Sequence, residues 1–318
     1  MSLSLSADAV FANTMGLPIS VKIVEVAPRD GLQNQSALIS VEDKVTFVDR
    51  LSDCGFKAIE VGSLVSPKLV PQMGDSAKVF RQIKKHPSTA YIMLVANEKG
   101  LERAIECRLK NIAVVCAATD AFSLKNINCT VDESLAKIKS ICDQALANGM
   151  KVRAYISCAL GCPYQGKVDA QLISTLVAKL YYFGCYEISL GDTIGIGTPG
   201  LVKELIAATS QRVPVDKIAV HFHDTYGQAL ANILTALQSG VSIVDSSVNG
   251  MGGCPFAPGA SGNIASEEVV YMLNGLGIKT GIDLNRLVST SWFIANTLKQ
   301  QSGSKVTCAL NTDSKKAN

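Results

Sequence analysis

No apolar run among the 318 residues approaches the ~18 needed to cross a bilayer as a helix, so the sequence reads as having no membrane span. Met1 to Ser20 contain neither Lys nor Arg, which argues against a mitochondrial transit peptide and against the charged start of a secretory signal. The closing Ser-Lys-Lys-Ala-Asn carries no retention or lipidation signal. Charge is sparse, with 18% charged residues and a net of +3 in no cluster, so nucleic-acid binding gains no support. The ten cysteines lack paired metal spacings and are too dispersed for a disulfide scaffold. They read as buried thiols in a reducing compartment, and cytoplasm is the expected location. Histidine is scarcest of all the metal-binding residues: three in the chain, two of them His221 and His223.

What is abundant is apolar material, 47% of the chain, enough for a large core and without a signature of disorder. Short β-branched runs recur about every 30 residues with helix-like segments between them. They are Lys22–Val26, Ala58–Val61, Ala90–Val95, Ile112–Ala117, Val152–Ala159, Tyr186–Leu190, Ile218–Phe222 and Val241–Val248. Helical spacing marks Val41–Leu51 and Val131–Cys142, and Gly55, Gly149, Gly184 and Gly240 stand where helices end before the next strand. Eight strands each followed by a helix predict a (β/α)8 TIM barrel over residues 1–276, with C-terminal helices over 277–318 and a polar tail fraying from about Gly303. The alternative, a doubly wound open sheet, would usually place a Gly-rich phosphate loop after the first strand. Here that position reads Ala27-Pro28-Arg29-Asp30.

A barrel does its chemistry at the carboxyl ends of its strands, and the unusual polar residues of this chain fall there. Strand one ends in Arg29-Asp30, strand two carries Glu60 and Ser63, strand six ends in Ser189, Asp192 and Thr193, strand seven in His221 and His223, and strand eight reaches Asn249. Strand five alternates Arg153, Tyr155 and Ser157 on one face. Any one carboxylate has an ordinary reading as a helix N-cap. His221 and His223 project to the same side of a strand and are either a hydrogen-bonded structural pair or half a metal site. Asp30 supplies a carboxylate, and a two-histidine, one-carboxylate set with open positions suits Mg²⁺ or Mn²⁺, with Zn²⁺ also compatible. Arg29 offers a fixed positive fork to an oxyanion.

After strand eight comes Asn249-Gly-Met-Gly-Gly-Cys254-Pro-Phe-Ala-Pro-Gly-Ala-Ser-Gly-Asn263, with five glycines and two prolines in fifteen residues. That composition describes an ordered loop, read as a phosphate cradle, a lid or a long connector. Cys254 is the cysteine most exposed to polar surroundings and so the one expected to react, whereas Cys308 reads as a spectator. Asn263 is placed to complete a metal shell through its amide oxygen.

Together these residues resemble the 3-hydroxy-3-methylglutaryl-CoA lyase family over nearly the whole chain. The resemblance rests on Val26-Ala-Pro-Arg-Asp-Gly-Leu-Gln-Asn34, Glu60-Val-Gly-Ser-Leu-Val-Ser-Pro67 and Leu124-Lys-Asn-Ile-Asn-Cys129. Further strings are Ser157-Cys-Ala-Leu-Gly-Cys-Pro-Tyr164, Ser189-Leu-Gly-Asp-Thr-Ile-Gly195, His221-Phe-His-Asp-Thr-Tyr-Gly-Gln-Ala-Leu-Ala-Asn232 and the Cys254 loop. It implies cleavage of a 3-hydroxy-3-methylglutaryl thioester to acetyl-CoA and acetoacetate, usually in leucine breakdown. It implies a divalent metal, Mg²⁺ or Mn²⁺, on Asp30, His221, His223 and Asn263, with Arg29 stabilising the enolate. Glu60 and Asp192 would be acid–base or positioning carboxylates, Cys254 a proton donor or acceptor, and His221 a proton-transfer group as well as a ligand. Ser63, Asn126, Ser189 and Thr193 would touch the acyl-CoA, and the chain would pair into a homodimer. A related lyase or Claisen-type synthase on another 3-hydroxyacyl-CoA is the alternative. The sequence departs from the family's pattern at Ser36, where some members carry Lys. Asn249 and Met251 replace an Ala and a Leu, and Leu64 and Leu69 replace aromatic residues.

Overall fold

The computed structural model describes residues 16–253 and 262–316. Eight strands, β1 (Lys22–Glu25), β2 (Ala58–Ser63), β3 (Ala90–Leu94), β4 (Asn111–Ala117), β5 (Lys151–Ser157), β6 (Glu187–Asp192), β7 (Ile218–Phe222) and β8 (Ile243–Ser246), form a closed barrel in chain order. All neighbours run parallel, and closure comes from β1 pairing with both β2, at Val24↔Ala58, and β8, at Lys22↔Ile243. That second pairing rules out the open sheet.

Helices α1 (Val41–Cys54), α2 (Ser76–Gln82), α3 (Glu98–Glu106), α4 (Asp120–Ile127), α5 (Val131–Ala147), α6 (Ala170–Tyr182), α7 (Pro199–Ser210), α8 (Ala229–Gln238) and α9 (Ser266–Gly275) follow the strands. Their ends are written in the sequence. Ser40 accepts the Asp43 amide at the start of α1, and Thr130 with Glu133 forms a reciprocal capping box at the start of α5. At Gly55 the chain turns left-handed, φ 102°, and a Cβ there would lie 2.3 Å from the Gly281 carbonyl oxygen, so only glycine fits.

The main apolar layer lies between barrel wall and helices, with Phe47, Leu51, Ile59, Met93 and Phe222 essentially solvent-free. A smaller group, including Val24, Val26, Ile92, Tyr155 and Ile243, occupies the alternate strand positions. Those alternate positions face the lumen, because bonds from them join strands that are not neighbours: Arg153 on β5 with Asp245 on β8, and Tyr155 on β5 with Glu60 on β2.

Two further helices form the expected C-terminal extension. The first, α10 (Leu284–Leu298), packs against α1 and α9. The second, α11 (Lys305–Lys316), occupies the stretch expected to fray. The difference has a local cause. Ser304 accepts the Thr307 amide as an N-cap, and the Glu268 carboxylate accepts the Lys305 amide at 2.5 Å. Ser304 and Thr307 are buried, so the polar composition marks a capped helix start.

Candidate active site

Directly after β1 the chain makes one π turn, Ala27–Gly31. The amides of Arg29, Asp30 and Gly31 all converge on the Val26 carbonyl at 3.1, 2.8 and 3.2 Å. Such single π turns concentrate at functional sites, and this one sets two charged side chains over the barrel mouth. Arg29 Nε donates to Glu60 Oε2 at 2.7 Å and Arg29 Nη1 to Asp30 Oδ1 at 2.8 Å, while its guanidinium lies 5.3 Å from the Tyr155 ring centroid. Burial works against the charge on Arg29, but Glu60 and Asp30 outweigh it and hold the guanidinium ionised.

β7 delivers His221 and His223 to the same end, ring centroids 5.6 Å apart. Beyond the Gly-rich loop the chain returns along the end of β7. The Ile264 amide donates to the Phe222 carbonyl at 3.1 Å and the Asp224 amide to Gly262 at 3.1 Å, which sets Asn263 opposite His223. Asn263 Nδ2 donates to Asp30 Oδ2 at 2.7 Å and to the Met251 carbonyl at 3.0 Å. A half-turn of that amide would present its oxygen instead, since the two ends are nearly the same shape.

One ligand atom each from Asp30, His221 and His223 lies within 4.8 Å of the others, a grouping able to hold a metal ion. His221 Nε2 is 3.9 Å from Asp30 Oδ2, and its other nitrogen, Nδ1, is 3.3 Å from Asp245 Oδ2. That carboxylate favours the tautomer with the proton on Nδ1, leaving Nε2 as the free donor atom. His223 Nδ1 is buried with no hydrogen-bond partner among the described residues, as an atom reserved for a ligand would be. Burial, then the neighbouring His221, lowers the His223 pKa to about 4, so the ring is neutral at pH 7. Burial tends to raise the Asp30 carboxyl, but Arg29, His221 and His223 overcome it and hold it below its ordinary value. Two imidazoles and one ionised carboxylate fit a divalent cation.

The HMGL-like family model matches residues 20–294 of this chain. The chain belongs to the HMGL-like family. The mitochondrial hydroxymethylglutaryl-CoA lyase of Pongo abelii is 52% identical over 309 residues, covering 96% of this chain and 95% of that protein. A cytoplasmic 3-hydroxy-3-methylglutaryl-CoA lyase of Rattus norvegicus is 49% identical over 291 residues, covering 92% and 85%. The crystal structure of hydroxymethylglutaryl-CoA lyase from Pseudomonas aeruginosa superposes with a TM-score of 0.92 at 50% identity, covering 94% of this chain and 99% of that one.

Not every expected residue of the HMGL-like pattern lies at the mouth. Glu60 is fully buried beneath Arg29. Its Oε2 also accepts the Tyr155 hydroxyl at 3.1 Å, while Oε1 has no partner among the described residues. Burial raises its carboxyl, with Arg29 opposing. Asp192 is buried with its oxygens on the Ile196 and Gly197 amides at 3.2 and 2.8 Å, and burial lifts its pKa to about 6. It shapes the turn after β6. Of the four expected substrate contacts, Ser189 is solvent-free and donates to Asp245 Oδ2 at 2.7 Å. Ser63 is buried, its hydroxyl toward the Leu94 carbonyl at 3.4 Å. Thr193 Oγ1 accepts the Cys158 amide at 2.8 Å, and Asn126 is exposed on α4. Cys254 lies outside the described residues.

The sequence reading overlooked the support beneath His221. Arg153 clasps Asp245 with two nitrogens, at 3.1 and 2.6 Å, and reaches Glu187 Oε1 at 2.5 Å, and Glu187 also pairs with Lys22. The available signal was a lone carboxylate in the apolar run Ile243-Val244-Asp245, two positions from Ile243 and hence on its face.

Proposed function

We propose that this chain is a hydroxymethylglutaryl-CoA lyase, cleaving 3-hydroxy-3-methylglutaryl-CoA to acetyl-CoA and acetoacetate. The observation that carries this reading is the meeting of Asp30, His221 and His223 within 4.8 Å, with the Arg29 guanidinium bonded to one of them, in an HMGL-like chain. Asp30, His221 and His223 would hold the divalent ion, Mg²⁺ or Mn²⁺, with Asn263 turning its amide oxygen to join them. The bound ion supplies Lewis-acid polarisation of the substrate oxygens.

Cleavage begins with loss of the proton from the C3 hydroxyl. The C3–O⁻ electrons form the ketone of acetoacetate, the C2–C3 bond breaks, and its electron pair passes to C2 as the acetyl-CoA enolate. A proton delivered to C2 completes acetyl-CoA. The costly species is the enolate, and a cation already fixed beside it is the largest contribution expected from the protein. Arg29 has that role, held rigid by Glu60 and Asp30 so that no reorganisation is needed as charge develops. Glu60 and Tyr155 position Arg29, Asp192 shapes the loop beside it, and proton transfer falls to Cys254 and His221. Ser63, Asn126 and Thr193 are offered as contacts along the acyl-CoA, and Ser189 acts through Asp245.

We further propose a homodimer resident in the cytoplasm. Buried thiols at Cys54, Cys116, Cys142 and Cys185 support a reducing compartment, and no helix among the described residues is long and apolar enough to cross a membrane. Purified protein incubated with the thioester and Mg²⁺ is expected to release acetoacetate, and EDTA to stop it. No acetoacetate with Mg²⁺ or Mn²⁺ would sink the reading.

A further inference from the structure

We infer that Asn249 is a positioning residue through which the C-terminal segment Ser302–Ser304 holds the metal-binding end of the barrel in shape. The inference rests on the metal-site reading of Asp30, His221, His223 and Asn263. Asn249 is buried and stands where the family pattern has Ala, and its backbone is left-handed, φ 63°. Asn enters that region more readily than Ala, which lacks a side chain able to bond locally.

The carboxamide oxygen of Asn249 accepts from Ser302 Oγ at 2.8 Å and from the Gly303 amide at 2.8 Å, while Ser291 Oγ on α10 stands at 3.5 Å. Its backbone amide donates to both oxygens of Glu267 at 3.1 Å. The approach is close on both sides: a Cβ on Gly303 would lie 2.5 Å from the Asn249 carbonyl oxygen. The side chain thus ties α10 and the segment leading into α11, and the backbone amide ties α9, to a residue three positions beyond β8.

From Asn249 the path to the ligands is short. Met251 follows two residues later, and its carbonyl accepts Asn263 Nδ2 at 3.0 Å, the same nitrogen that donates to Asp30 at 2.7 Å. The strip 250–252 lies against the returning chain so tightly that a Cβ on Gly262 would sit 2.2 Å from the Gly250 oxygen and 2.7 Å from the Gly252 oxygen. Any twist at Asn249 therefore displaces strip 250–252 and, through its tight backbone contact with Gly262, the backbone that carries Asn263 opposite His223, whichever way the Asn263 amide is turned. Close packing transmits such a shift, because there is no free volume to absorb it.

The test measures metal affinity of the full-length protein without turnover. Mn²⁺ is titrated into metal-free parent, N249G and S302A, free Mn²⁺ being read by electron paramagnetic resonance. Gly keeps the left-handed backbone available and removes only the carboxamide, so N249G separates the bonds from the strain. N249G is expected to weaken Mn²⁺ binding by about 10-fold, the lower end of the effect of removing a ligand's supporting partner. S302A, which removes one of the two short bonds, is expected to fall between it and the parent. The double variant should match N249G alone if both act through one contact. Fluorescence of the single tryptophan, Trp292, next to Ser291, reports whether α10 has moved. Mn²⁺ affinity unchanged in N249G overturns the proposal, even with a lower melting temperature. A parent that binds no Mn²⁺ overturns the metal-site reading and this proposal with it. A parent that binds Mn²⁺ but releases no acetoacetate overturns only the assigned reaction.

Discussion

Asp245 on β8 and Glu25 on the adjoining β1 are shielded from solvent to the same degree, 1% and 0% exposed, and burial alone would raise both carboxyls. They face opposite ways, because β1 and β8 pair with Val24 beside Asp245 and Glu25 beside Ser246. Asp245 points into the lumen and meets Arg153, Ser189 and His221. Arg153 more than offsets desolvation and holds its pKa at about 2. Glu25 points outward into the helix layer and meets only neutral donors: the Ala27 and Val248 amides at 2.9 Å and Ser266 Oγ at 2.6 Å. Desolvation wins there, and the pKa rises to about 8. Between these two acids of equal depth the difference is the cation beside Asp245, whereas at Glu60 burial still outweighs the Arg29 guanidinium. Asp245 thus stands ionised beneath His221, while Glu25, in the wall, joins the Arg29–Asp30 turn to the exit of β8.

The largest effect that tests this contrast comes from removing the cation. Arg153→Met leaves the buried Asp245 without its cation, while Glu187 keeps only Lys22. Breaking a buried pair in this way costs about 3–5 kcal/mol, to be read from guanidinium chloride unfolding. A loss under ~1 kcal/mol would mean water or protonation compensates Asp245 and the lumen is not the low-dielectric site described.

The second variant keeps the volume and removes the charge. Asp245→Asn still fills its place between Arg153 and His221, but no longer fixes the imidazole proton on Nδ1. Mn²⁺ affinity is expected to fall about 10–100-fold, with kcat lowered at nearly unchanged KM, since Asp245 is buried beneath His221. Equal affinities in parent and D245N would confine Asp245 to a structural part.

These two groups also mark where the sequence was legible and where it was not. The strands were legible because period-2 and period-3.6 patterning are local. The cluster of Asp30, His221 and His223, a grouping able to hold a metal, was legible because Arg29-Asp30 and His221-Phe-His223 each lie within three residues at strand ends. Asp245 and Arg153 lie 92 positions apart, and only barrel closure, with its strand tilt, brings them together across the lumen. Nothing local in Val244-Asp245-Ser246 names a partner. The Ser189–Asp245 bond was out of reach for the same reason: the two residues lie on strands β6 and β8, which are not neighbours, and only closure brings them together. The helix Lys305–Lys316 was only half legible: its N-cap Ser304 is local, but the carboxylates that hold its first turn, Glu268 on the backbone and Glu267 on the Thr307 hydroxyl, belong to another helix.

The smallest change should come from Glu25→Gln, and its sign with pH is the sharpest test of the contrast. A carboxyl whose pKa is raised from 4.5 to about 8 favours the folded state fully at pH below 4.5. Between 4.5 and 8 the unfolded chain gives up a proton that the folded chain keeps, so this contribution drains away as pH rises. Gln is a neutral mimic of the protonated acid and has no such proton. At pH 5, E25Q should be within about 1 kcal/mol of the parent, the cost of one altered hydrogen bond. By pH 8 the difference should have moved in favour of E25Q, as the parent alone has lost stability from this group. Asp192, whose carboxyl is also raised by burial, is common to both chains and cancels in the comparison, while the nearby Glu267 carboxylate adds to the rise of Glu25 itself. Unfolding midpoints in denaturant at pH 5, 6.5 and 8 give the slope directly. Parallel curves for the two proteins, or a parent that gains on E25Q as pH rises, would mean Glu25 is ionised in the fold. It would then be a second Asp245, drawing its compensation from the amides of Ala27 and Val248 in place of a guanidinium.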